Sequence, residues 1–179
     1  MKYKLIIIFI TFLSNGCVKK ENVAELYPNQ IIIDSSRIAI IKYESGDLDC
    51  RQIFKDAKSA VLNNKDLIKI ELAINKIIEK QNPLEIERFK ELSKAYPEEN
   101  YRKEDFVLRK DDYLRRYLVV TNSKGEKEIF VAMVCDAIAK DFNFRNTLKQ
   151  GHGGGSCLFS FKLNLSTNRN YEVKFNAEA

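Results

Sequence analysis

Apolar residues change their spacing several times along this chain, and each change marks a different element. Leu5 to Leu13 is a nearly unbroken apolar run, interrupted only by Thr11. Ile31-Ile32-Ile33 and the stretch 37–43 are short and β-branched, which predicts a first strand near 37–43. Ser45-Gly46-Asp47 then reads as a turn. Between 51 and 62 the positions Ile53, Phe54, Ala57, Ala60 and Val61 follow a loose helical pattern that Asn63-Asn64 ends. Leu67, Ile70, Ile74, Ile77 and Ile78 recur at steps of three and four, the mark of an amphipathic helix. Asn82-Pro83-Leu84-Glu85 has the form of a helix start: Asn to cap, Pro at the first helical position, Glu to reach back. With Ile86, Phe89 and Leu92 as its stripe and Pro97 as its stop, it predicts an antiparallel helix pair over 66–96.

After that the periodicity changes. Residues 113–121 and 129–135 flank Asn122-Ser123-Lys124-Gly125, a hairpin signal, and the second run is apolar throughout, as a strand buried on both faces would be. Phe159, Phe161, Leu163 and Leu165 alternate with polar residues. After a turn at 166–170, Tyr171, Val173 and Phe175 do the same, giving a second hairpin with one dry and one wet face. Helices followed by strands predict an α+β fold: an antiparallel sheet of four to five strands with two to three helices packed on one face. No period of 20–50 residues repeats, so a solenoid is excluded.

The opening residues read as an export signal. Lys2 and Lys4 precede the apolar run, which is too short to span a bilayer, and Ser14-Asn15-Gly16 follow it as a small-residue exit. Gly16-Cys17 resembles the lipobox of bacterial lipoproteins, where cleavage needs a small residue before a lipidated cysteine. The usual box has Leu three residues before the Cys, whereas Ser14 stands there and Leu13 lies one step earlier. The expected organisation is therefore a signal peptide at 1–16, a lipidated tether at 17–30 and one globular domain at 31–179. Cys17 is the expected lipid attachment site, and two or three acyl chains on it would anchor the protein to the membrane essentially permanently. The alternative is a secreted domain in which Cys17 enters a disulfide.

Composition narrows the function classes. Residues 1–16 hold two of the 30 Lys and Arg and none of the 25 acids, so the remainder is only mildly basic, 28 cations against 25 anions. Charges of both signs are interleaved, which points away from nucleic acid. Eleven Phe and eight Tyr supply a packed interior. Beyond Cys17 remain Cys50, Cys135 and Cys157, with no Cys-x-x-Cys or Cys/His spacing for a metal or for thioredoxin-type chemistry. Cys135 and Cys157 lie in strand-like runs separated by one connection, which makes them the favoured disulfide; three buried thiols are the alternative.

Gly151-His152-Gly153-Gly154-Gly155-Ser156 is the one segment that invites a chemical reading. A phosphate cradle would need a helix start and a Lys after the glycines, yet a strand follows, so the glycines are expected to supply positive φ instead. His152 could serve as a base only beside a nucleophile such as Ser156 or Cys157 and a carboxylate such as Asp136. Asp111-Asp112, Asp136 and Asp141 match no metal or glycosidase spacing and read as turn acids. No catalytic residues, metal ligands or cofactor are assigned.

The stretches Ile53-Phe54-Lys55-Asp56-Ala57-Lys58, Asn122 to Glu128, Gly153 to Phe159, Asn164-Leu165 and Phe175 to Ala179 together resemble small, functionally uncharacterised lipoproteins of Gram-negative bacteria. The resemblance covers most of 50–179. It implies a cell-envelope address, lipid-anchored to the outer membrane, and a sheet-rich C-terminal half, and it brings no catalytic residues. Three classes of role follow as expectations. The first is a non-enzymatic binding or assembly module with an envelope protein or glycan as partner. The second is an inhibitor or immunity-type protein against a toxin or hydrolase, and the third a hydrolase built around His152.

Overall fold

The computed structural model describes residues 33–139, 148 and 153–176. The elements run β1 (Ile38–Ile41), α1 (Leu48–Ile53), β2 (Lys58–Ser59), α2 (Asn64–Ala95), β3 (Tyr113–Thr121), β4 (Lys127–Cys135), α3 (Asp136–Ala139), β5 (Leu158–Asn164) and β6 (Arg169–Phe175). The fold is α+β, with a sheet ordered β1-β3-β4-β5-β6 and β2 paired to the far end of β3. β3 to β6 form an antiparallel meander, as the hairpin signals predict. The sheet is nonetheless mixed, because β1 pairs β3 in parallel, Ile38 opposite Arg115 and Ile41 opposite Leu118. A strand far upstream in sequence can reach β3 only through a crossover, and α2 lies in that crossover.

The meander is anchored by its turns. At the β3–β4 turn, Asn122 Oδ1 accepts from the backbone N–H groups of Lys124 and Glu126. Gly125 there sits at φ 80°, a conformation a side chain would strain. Between β5 and β6 the pairing slips: Lys162 faces Tyr171 while Ser160 faces Lys174, so Glu172 and Val173 share the space opposite Phe161. This is a β-bulge, with Glu172 at φ 50° and its carboxylate paired to Lys162 Nζ at 2.9 Å.

Alternation divides the core in two. Tyr113, Tyr117, Val119, Ile129, Val131, Met133, Cys135, Phe159, Phe161 and Leu163 face α2, whose Ile70, Ile74, Ile77 and Ile78 complete that cluster. Leu118, Val120, Phe130 and Ala132 point the other way, against Tyr43, Cys50, Phe54, Ala57 and Leu148. β4 is thus buried on both faces.

The helical half departs from expectation. One helix of 32 residues, Asn64–Ala95, stands where an antiparallel pair is expected over 66–96. It begins at a capping box, in which Asn63 Oδ1 accepts from the Asp66 N–H and Asp66 Oδ2 from the Asn63 N–H. Pro83 lies inside it. Asn82, which reads as a cap in sequence, instead grips a distant segment: its Oδ1 accepts from Leu108 N–H at 2.8 Å and its Nδ2 donates to Leu108 O at 3.1 Å. Likewise α1 covers only Leu48–Ile53, sharing residues 51–53 with the expected helix over 51–62, and the chain then leads into β2. Among the described residues, no helix is long and apolar enough to cross a membrane.

Polar ties fix α2 on the sheet. Lys127 Nζ at the start of β4 lies 2.8 Å from Asp66, and Lys69 Nζ donates to Leu165 O just past β5. Deeper, Glu71 and Arg115 form a hydrogen-bonded ion pair with both side chains buried. Lys110 Nζ approaches the second oxygen of Glu71 at 3.4 Å. Leaving either charge of such a pair buried alone costs about 3–5 kcal/mol, whereas an apolar replacement of both is far milder. Glu71→Leu in the full chain is therefore expected to lower the urea-unfolding free energy by about 3–5 kcal/mol, and adding Arg115→Met to restore more than half of it. A double variant that loses as much as the two single variants together would remove this account of the pair.

Candidate functional site

The described residues enclose two surface hollows of note. The larger, about 500 Å³, is lined by Tyr43, Ser45, Leu48, Arg51, Gln52, Lys55, Asp56 and Ala57 and is built on the short helix α1. The second, about 400 Å³, collects residues that lie far apart in sequence. Its walls are the segment 104–112 on one side and Cys135, Asp136, Ala137, Ser156 and Cys157 on the other, with Tyr113 between.

Each wall is held by identifiable contacts. After α2 the chain passes through three short 3-10 turns, at Pro97–Glu99, Lys103–Phe106 and Lys110–Asp112, which carry it back along the helix. Phe106 pins this return: its ring meets Phe89 at 5.5 Å and Tyr101 at 5.8 Å, with the Arg88 guanidinium 5.8 Å from its centre. The Asn82 clamp on Leu108 secures the stretch that follows.

The opposite wall is a covalent corner. Val134 pairs with Leu158 across β4 and β5, so Cys135 and Cys157 fall at the next cross-strand position, and a disulfide joins them. It closes a loop with a sequence separation of 22, for which chain entropy gives about 3 kcal/mol. The approach to β5 runs through Gly153, Gly154 and Gly155, all at positive φ, and at Gly154 an added Cβ would touch Leu158 and Ile138 at 3.4–3.5 Å. The described glycines thus supply the left-handed backbone expected of them. Tyr113 Oη donates to Ser156 O at 2.8 Å, Asn176 Nδ2 donates to Gly153 O, and Asn176 N–H to Leu158 O. Across the rim, one Arg37 nitrogen donates to both Asp136 oxygens at 2.7 Å.

The lip of the cleft carries charges of both signs. Glu104, Asp105, Asp112 and Asp136 line it against Arg109. Asp105 is bonded by Arg102 and Asp136 by Arg37. Burial raises the Tyr113 hydroxyl well above the ordinary tyrosine value, with Glu85 and Asp112 adding to the effect. Burial likewise pushes Tyr117 up to about 12.

Of the residues nominated from sequence, Asp112, Asp136, Ser156, Cys135 and Cys157 meet at this one cleft. Asp111 lies beside it in sequence but is exposed, 4.0 Å from Arg115. Cys17, Asp141, Gly151 and His152 lie outside the described residues. Cys50 is a buried free thiol in the second cluster, on the other side of the sheet. Sequence reasoning missed the 104–109 wall: nothing in Glu104-Asp105-Phe106-Val107 signals a cleft until α2 runs unbroken beneath it. Among the described residues, no group of three His, Cys, Asp or Glu is placed to hold a metal.

Comparison with protein-family models, curated proteins and solved structures finds no match.

Tyr113 and Tyr117 make alkaline stability a test of this corner. A tyrosine whose folded pKa is raised contributes stability that is fully present below the unfolded value near 10. That stability is lost as pH rises from there, through about 12 for Tyr117 and further for Tyr113. Urea midpoints should hold level to about pH 9 and fall steadily above 10. Tyr113→Phe should lose about 1 kcal/mol at pH 7 with its hydrogen bond to Ser156, and fall less steeply at pH 11. An equally steep fall in that variant would mean that Tyr113 titrates normally.

Proposed function

We propose that this chain is a lipid-anchored, non-enzymatic binding module of the cell envelope, engaging an envelope protein through the cleft between residues 104–112 and the disulfide corner. The observation that carries the reading is the oxidised pair Cys135–Cys157, which suits an exported protein in an oxidising compartment. Gly16-Cys17 after a cationic and apolar start agrees with the same address.

Engagement of the polar groups favours binding over hydrolysis. Cys157 is bonded to Cys135 and is no thiol nucleophile, and Asp136 is held by Arg37. Val107, Leu108, Ala137 and Tyr113 give the cleft apolar contact area beneath a charged lip, a pattern suited to a protein segment.

Two measurements test the two halves of the proposal. Intact mass of membrane-extracted protein should show loss of residues 1–16 and added acyl chains, and Cys17→Ser should become soluble; an unmodified Cys17 engaged in a disulfide removes the anchor. A photoreactive residue at Val107 should give one discrete protein adduct in cells, and the same residue at Lys90, on the exposed face of α2, none. Equal labelling from both positions, or labelling from Lys90 alone, would move the binding surface elsewhere.

A further inference from the structure

The Cys135–Cys157 bond lies where the helix-side core meets the cleft. Both cysteines line the hollow, Cys157 half-buried and Cys135 7% exposed. Their corner also has supports that do not depend on the bond. The β4–β5 ladder reaches Val134 and Leu158, Asn176 N–H holds Leu158 O, and Tyr113 holds Ser156. Breaking the bond would therefore leave both cysteines close together in a folded chain. Cys50 cannot take part: it sits on the opposite face of the sheet, and burial raises its thiol pKa.

We propose that Cys135–Cys157 is a thiol-exchange site, opened from the cleft in the native state by a dithiol-bearing protein that attacks Sγ of Cys157. Cys157 is the more exposed of the two and follows three left-handed glycines, whereas Cys135 is the last residue of a central strand. In the first step the incoming thiolate forms a bond to Cys157 Sγ. The Cys135–Cys157 bond breaks, and its electron pair leaves on Cys135 Sγ, which takes a proton from water. In the second step the partner's other thiol, having given up its proton, attacks the mixed disulfide and releases Cys157, which is protonated in turn. This chain gains two electrons and two protons, and the partner is oxidised from dithiol to disulfide.

The test uses the full chain in mild detergent, without denaturant, at neutral pH. Reduction by cysteamine and by 2-mercaptoethanesulfonate is followed by alkylation and intact mass, each rate being divided by that for the same chain unfolded in urea, which cancels the intrinsic reactivity of each thiol. The expected result is a rate proportional to the concentration of either thiol, with the acid-trapped adduct mapping to Cys157. A rate that plateaus at the unfolding rate, or an adduct on Cys135, overturns the proposal. None of these outcomes depends on the lipid anchor or on the partner proposed above.

Discussion

Everything on the helix side of the sheet depends on a charge pair that has no access to water. Glu71 extends from α2 and Arg115 from β3, and both are buried, so each is tolerable only while the other is in place. Apolar contacts between a helix and a sheet permit some sliding and rotation, because one isoleucine can replace another in a groove. A hydrogen-bonded ion pair permits very little. With Asp66–Lys127 and Lys69–Leu165 nearer the start of α2, it sets how the helix crosses the strands. That crossing places the second half of α2 where Phe89 and Asn82 can catch the returning segment, so one wall of the cleft follows from it.

The other side of the sheet is built differently. Its cluster comes from the chain around α1 and from Leu148, all with shorter reach than a 32-residue helix. β3 and β4 serve both clusters at once, and this explains why nearly every residue of β4 is apolar. Cys50 belongs to this second cluster and Cys135 to the first, and the sheet between them keeps the thiol away from the disulfide.

Local chemistry was the part of this fold legible in the sequence. Alternation located β5 and β6, apolar runs around a turn signal located β3 and β4, and Asn122 with Gly125 marked a turn that the structure makes through the expected side-chain and backbone geometry. Asn82-Pro83 misled for a physical reason. Asn is a good cap only if the chain breaks there, and here its amide is better satisfied by both backbone groups of Leu108, while Pro83 is accommodated within a helix clamped along its length. The parallel pairing of β1 was illegible, since no local signal distinguishes a strand that will lie parallel from one that will not. The cleft shows the same limit. Asp112, Asp136, Cys135 and Cys157 are unremarkable in sequence and become a site only when the corner is closed, although neighbouring strands did point to the disulfide.

The bulge in β6 bears on the behaviour of many copies together. An outermost strand offers unpaired N–H and C=O groups that could template a second sheet. Here Glu172 turns left-handed and leans onto Lys162, interrupting the straight run of hydrogen-bonding groups that such templating needs. The strand therefore remains a terminus, and crowded copies gain no continuous sheet through this edge.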